Sequence, residues 1–111
     1  MTPEGRIKRM VTKGLKDIQR RYPGKLWYRM PVTRGMGLPW LDYHCCVGGP
    51  SEGRTVAIEA KRDIEHCLTL QQQMIKRELE EAGAVVLVVY DEETARNALV
   101  IIEAMICPEA S

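Results

Sequence analysis

The sequence contains no phenylalanine, and its two Trp and four Tyr make up only 5% of the chain. A core without Phe must be built from Val, Ile, Leu, Met and Ala, which pack in bulk through aliphatic contacts rather than ring stacking. Long apolar runs are also missing. No stretch approaches the roughly 20 residues that a membrane-spanning helix requires, and the opening Thr2-Pro3-Glu4-Gly5-Arg6 lacks the apolar segment of a signal peptide. These absences point to a cytoplasmic protein with no membrane partner. Cysteine is sparse and unevenly placed: Cys45 and Cys46 are adjacent, while Cys67 and Cys107 stand alone. That spacing does not resemble a disulfide framework. A zinc site assembled from His44, Cys45, Cys46, His66 and Cys67 is disfavoured, because neighbours on a strand point to opposite faces. Reduced, mostly buried thiols are expected instead.

Acidic residues are nearly absent from the first 40 positions. That stretch holds ten Lys/Arg against Glu4 and Asp17, a net +8, and the rest of the chain carries −7. The overall charge of +1 hides this segregation. A basic first third can attract a polyanion such as nucleic acid, although a solvated basic helix has the same composition. The 111 residues suit one domain spanning 1–111.

The first element reads as a helix. Thr2 can cap it, Pro3 suits its first position, and Ile7, Met10, Val11, Leu15 and Ile18 recur at three- and four-residue steps. Tyr22-Pro23-Gly24 ends it. Leu26 to Val32, Leu41 to Val47 and Thr55 to Lys61 read as three strands, with a Gly- and Pro-rich turn over 48–53 joining the last two as a hairpin. Thr69-Leu70-Gln71-Gln72 is a capping box that opens a second helix, which Gly83 ends. The apolar run Ala84 to Val89 predicts a strand buried on both faces and parallel to its neighbour. Asp91 caps a last helix that is apolar nearly all round, so the sheet or a second subunit must cover it. The order is αβββαβ plus a C-terminal helix, an α/β fold with a mixed sheet.

Strand alternation places Val56, Ile58 and Ala60 on one face of the third strand, and Ala57, Glu59 and Lys61 on the other. Asp42 shares a face of its own strand with His44 and Cys46. A hairpin would bring Asp42 towards Glu59, and two adjacent carboxylates call for a cation between them. A hard divalent ion with oxygen ligands suits that arrangement. A surface ion pair between Glu59 and Lys61, with Asp42 incidental, is the plainer alternative. Trp27, Tyr28 and Trp40 read as core or loop-anchoring residues that could also stack on bases.

The ordered set Gly37-Leu38-Pro39-Trp40-Leu41-Asp42, Val56-Ala57-Ile58-Glu59-Ala60-Lys61-Arg62 and Leu68-Thr69-Leu70-Gln71-Gln72 resembles the VRR-NUC branch of the PD-(D/E)XK nucleases. The small stand-alone phage-type members look most similar, and Thr2-Pro3-Glu4-Gly5-Arg6 resembles their opening. Here Trp40 and Leu41 separate Pro39 from Asp42, where the family sets Pro directly before Asp.

The resemblance implies a restriction-endonuclease-like fold and a Mg²⁺-dependent DNA endonuclease, with Mn²⁺ also supporting activity. Asp42, Glu59 and the backbone carbonyl of Ala60 would hold the metal. Glu4 would reach it directly or through water, and Gln72 would orient water or phosphate. Because two carboxylates hold an ammonium charged, Lys61 reads as a cation that orients water and stabilises transition-state charge, not as a general base. Arg6, Arg9, Lys13, Arg29, Arg34 and Arg62 would supply phosphate contacts. The expected partners are DNA, including branched DNA such as four-way junctions, and a second copy docked through the last helix; the setting would be a bacterial host cell if the chain is phage-encoded. The competing expectation is a non-catalytic DNA-binding module that uses the basic first helix.

Overall fold

The computed structural model describes residues 2–31, 40–63, 65 and 68–110. Arg34, His66 and Cys67, and the Gly37–Pro39 part of the family-like stretch, lie outside the described residues. No helix among the described residues is long and apolar enough to cross a membrane.

Helix α1 runs Pro3–Arg21, with the Thr2 hydroxyl accepting from the Gly5 N–H as its N-cap. Its predicted stripe is realised: Ile7, Val11, Leu15 and Ile18 are buried. Four strands follow as one sheet in the spatial order β1 (Leu26–Arg29), β2 (Tyr43–Val47), β3 (Arg54–Ala60) and β4 (Val85–Val89). β1–β2 and β2–β3 are antiparallel, and β3–β4 is parallel. The parallel step needs a crossover, which helix α2 (Leu70–Glu81) supplies. Helix α3 (Glu92–Ile106) closes the chain, capped by a reciprocal pair in which Asp91 accepts from the Thr94 N–H.

The expected element order is therefore observed, with shorter strands. β1 stops at Arg29 instead of Val32; Pro31, two residues on, has no N–H to offer the ladder. β2 starts at Tyr43 instead of Leu41, because the Asp42 side chain takes over from backbone pairing there. The 48–53 turn contains a short 3-10 segment, Gly49–Ser51, followed by left-handed Glu52 and Gly53.

The sheet carries a core on each face, the second covering it only in part. Val56, Ile58 and Ala60 join Tyr43, Cys45, Val47 and Val89 in the main core, against α1 and α3. On the opposite face Ala57, Leu41 and Val86 form a smaller core with Trp40, Ile75 and Leu79, the last two from α2. β4 thus feeds both cores, as its apolar run predicts, although it is an edge strand and is only partly buried between Val86 and Val89. α3 buries Ala95, Ala98, Ile102 and Ile106, while Val100 and Ile101 remain 52% and 42% exposed. So α1 and the sheet cover only one side of its nearly all-apolar surface. α1 and α3 approach closely at Gly14, where a Cβ would meet the Leu99 side chain at 2.3 Å.

Candidate active site

The register of β2 and β3 explains how two carboxylates come together. Tyr43 pairs with Ile58, so the next position out would set Asp42 opposite Glu59. The side chains take over there. The Asp42 N–H donates to Glu59 Oε1 at 3.0 Å, and the Ala60 N–H donates to Asp42 Oδ2 at 2.8 Å. Each acid therefore satisfies a backbone donor at the end of the shared ladder, which holds both carboxylates in place.

Glu59 is only 4% exposed, the one buried charged residue among those described. Burial, and then the Asp42 carboxylate beside it, push its carboxyl above the ordinary range; the Lys61 hydrogen bond and charge pull the other way. Lys61 Nζ lies 3.2 Å from Glu59 Oε2 and donates to Gln72 Oε1 at 2.8 Å. Gln72 Nε2 donates to Glu59 Oε2 at 2.8 Å. Gln72 Oε1 also accepts from the Thr69 N–H at 3.0 Å, completing the capping box of α2. One side chain thus caps the helix and clamps the acid–lysine pair at once. The two roles, which seem to compete in the sequence, share the same amide.

A further cation enters from α1. Lys8 Nζ sits 3.3 Å from Asp42 Oδ1. Its position is set by Tyr43, the residue after Asp42, whose fully buried hydroxyl donates to the Lys8 carbonyl at 2.7 Å and shares a 2.7 Å hydrogen bond with Thr12. Sequence reasoning missed Lys8. Its only signal is its place one turn after Glu4 and three residues before Val11, on the border of the apolar stripe.

Asp42, Glu59, Lys61 and Gln72 are thus brought together, with Lys8 beside them. Glu4 is half-buried one turn before Lys8, and makes no hydrogen bond or ion pair to this group among the described residues. Arg6, Arg9, Lys13, Arg29 and Arg62 are exposed. Arg6 and Arg62 line a cleft of about 360 Å³ between the starts of α1 and α3, but Asp91 and Glu92 line it too, so its charge is mixed.

The donor set suits a hard divalent cation. Two fixed carboxylates present oxygen ligands, and burial penalises the negative charge of one of them. No group of three or more His, Cys, Asp or Glu side chains arranged to hold a metal ion exists among the described residues. Mg²⁺ needs no such cage: it commonly binds one or two carboxylates and keeps several waters. Cys45 is buried in the main core, whereas Cys46 and Cys107 are half-buried.

No protein-family model matches the sequence, and no curated protein matches it. A solved structure described as "VRR_NUC domain" superposes with a TM-score of 0.70, covering 90% of this chain and 97% of that one at 17% identity. The mixed four-stranded sheet with its three helices is thus the restriction-endonuclease-like fold that such a domain adopts.

Proposed function

We propose that this chain is a metal-dependent nuclease that hydrolyses phosphodiester bonds in DNA. The observation that carries the reading is the Asp42–Glu59–Lys61–Gln72 network at the end of the β2–β3 ladder. Burying an acid beside a second acid is costly unless the site handles cations, and a purely structural sheet end has no use for it. The likeness to the VRR_NUC domain structure supports the same chemistry.

In this reading Asp42, Glu59 and the Ala60 carbonyl would hold Mg²⁺ or Mn²⁺, and Glu4 would reach it from α1, directly or through water. The bound ion supplies acidification of an attacking water and charge neutralisation on the phosphate. Lys61 is held by Glu59 and Gln72, and its Nζ orients the water and stabilises charge developing on the phosphoryl oxygens. Gln72 fixes the Lys61 ammonium and the Glu59 carboxylate relative to each other, so neither must reorganise as the reaction proceeds. Arg6, Arg9, Lys13, Arg29 and Arg62 contact phosphates without reading sequence. Branched DNA belongs to the substrate range, and a second copy packs against the exposed Val100–Ile101 side of α3.

Incubation of plasmid and four-way-junction DNA with wild type and Lys61→Ala, in Mg²⁺ or EDTA, tests the proposal. The expected result is cutting by the wild type in Mg²⁺ alone, with Lys61→Ala binding DNA but not cutting it. If the wild type binds DNA but cuts neither substrate in Mg²⁺, the chain is a DNA-binding module and the nuclease reading fails.

A further inference from the structure

The two faces of β1 have different fates. Leu26 and Tyr28 turn towards the main core, and alternation sends Trp27 and Arg29 to the other face. There the register sets Arg29 beside His44, and Trp27 beside Cys46. α2 packs over Ala57 and Val86, the β3–β4 half of this face. On the β1–β2 half Trp27 remains 43% exposed, which corrects its reading as a core or loop-anchoring residue.

The side chains on this half form a row. The Arg29 guanidinium lies 4.9 Å from the Trp27 ring centre. Trp27 meets His44 edge-on at 5.6 Å, and His44 lies 5.4 Å from the tilted ring of Trp40. Asp42 lies next to the row in sequence: Trp40 is two residues before it and His44 two residues after it.

We infer that the exposed Trp27 ring, flanked by Arg29 and backed by His44 and the half-buried Trp40, is a stacking platform for unpaired DNA bases, so that the nuclease proposed above acts on DNA carrying unpaired nucleotides at the cut. The inference rests on that reading for its substrate, while its binding is carried by Trp27, which the proposed chemistry does not use. Aromatic faces grip bases of any sequence, and a stacked guanidinium adds attraction for the nucleotide and its phosphate. In continuous duplex each base face is already covered by its neighbours, so the platform engages only strands that are single, frayed or branched.

Binding measured in EDTA separates this inference from the chemistry. Fluorescence anisotropy would compare a labelled single-stranded oligonucleotide with a blunt duplex of the same sequence, using wild type, Trp27→Ala and Trp27→Tyr. The expected result is an affinity for the single strand lowered about tenfold in Trp27→Ala, roughly 1.4 kcal/mol and within the range for one lost stacking contact. Trp27→Tyr keeps most of the affinity, and duplex binding changes less than about twofold. Should Trp27→Ala not fold, Trp27→Met, of similar reach but with no ring, gives the same readout. Unchanged single-strand affinity, or equal loss on both DNAs, overturns the platform. Single-strand preference in EDTA with no cutting in Mg²⁺ refutes the nuclease reading and leaves the platform standing; cutting with no such preference does the reverse.

Discussion

Asp42 and Glu59 brace each other through the backbone: the Asp42 N–H donates to Glu59 Oε1, and the Ala60 N–H, one residue past Glu59, donates to Asp42 Oδ2. The pair is therefore architectural as well as chemical, and the two roles separate by substitution. Asp42→Asn keeps an acceptor for the Ala60 N–H but loses the charge. It is expected to melt within a few degrees of wild type while cleavage falls about 100-fold or more, as when a metal site is disturbed. Asp42→Ala also orphans the Ala60 N–H, and is expected to lose a further 1–2 kcal/mol or so in denaturant titration.

Gln72 joins helix α2 to the site, so its variants should report on both. Gln72→Ala removes the bonds to Glu59, Lys61 and the Thr69 N–H. About 1 kcal/mol of stability should go with the capping box, and cleavage should fall roughly 10- to 100-fold. Gln72→Glu restores an acceptor for Thr69 and Lys61 but offers Glu59 a negative charge in place of an N–H. Thermal melts should therefore show the cap recovered, with cleavage still low.

Lys8 and a divalent cation compete for Asp42, because the ammonium already sits 3.3 Å from Oδ1. Lys8→Met, which keeps the apolar stem, is expected to bind Mn²⁺ about three- to tenfold more tightly, the modest effect of a partly exposed ion pair. Titration followed by electron paramagnetic resonance measures it, and weaker binding would show that Lys8 assists the metal instead.

The Cys45 thiol gives a pH signature at the alkaline end. Burial pushes it up to about 12 from its ordinary value of 9.0. The folded chain therefore keeps a proton that the unfolded chain releases above about pH 9. Stability should fall as pH rises from about 9 towards 12, by at most roughly 1.4 kcal/mol per unit. Cys45→Ala is expected to remove that part of the slope in urea titrations. In native alkylation at pH 8.5 the half-buried Cys46 should label well before Cys45.

Gly49 is held where no other residue fits. Its φ of +71° is left-handed, and a Cβ there would stand 2.9 Å from the Ile106 carbonyl oxygen at the end of α3. Gly49→Ala is expected to cost about 2–3 kcal/mol, from the backbone conformation together with a clash that backbone cannot easily yield. Chemical denaturation with the cleavage assay in parallel should show lost stability ahead of lost catalysis.

What could be read from the chain and what could not divide along sequence distance. Ile7, Val11, Leu15 and Ile18 announce α1 by spacing, and alternation alone puts Glu59 and Lys61 on one face and Ile58 on the other. Thr69 and Gln72 announce α2 in the same local way. Lys8 was illegible because it depends on Tyr43 bonding to a carbonyl 35 residues earlier, which no local period encodes. The late start of β2 was missed because a side chain, Asp42, takes the place of a ladder bond. Trp27 was misread because its exposure follows from where α2 lies across the sheet. That placement is set by Ile75 and Leu79 meeting Ala57 and Val86, contacts made across the fold.

The docking of α1 works as a phase lock between fold and chemistry. The same nineteen-residue helix turns Ile7, Val11, Leu15 and Ile18 inward and presents Lys8 to Asp42. A helix advances about 100° per residue, so one residue inserted between Lys8 and Val11 leaves Val11, Leu15 and Ile18 seated but swings Lys8 a quarter-turn or more away from the acid, and Ile7 out of the core with it. Fold and chemistry therefore share one rotational setting of α1: an insertion or deletion there costs the site a cation and the core a side chain together, while point changes along the exposed side of that helix leave the setting intact.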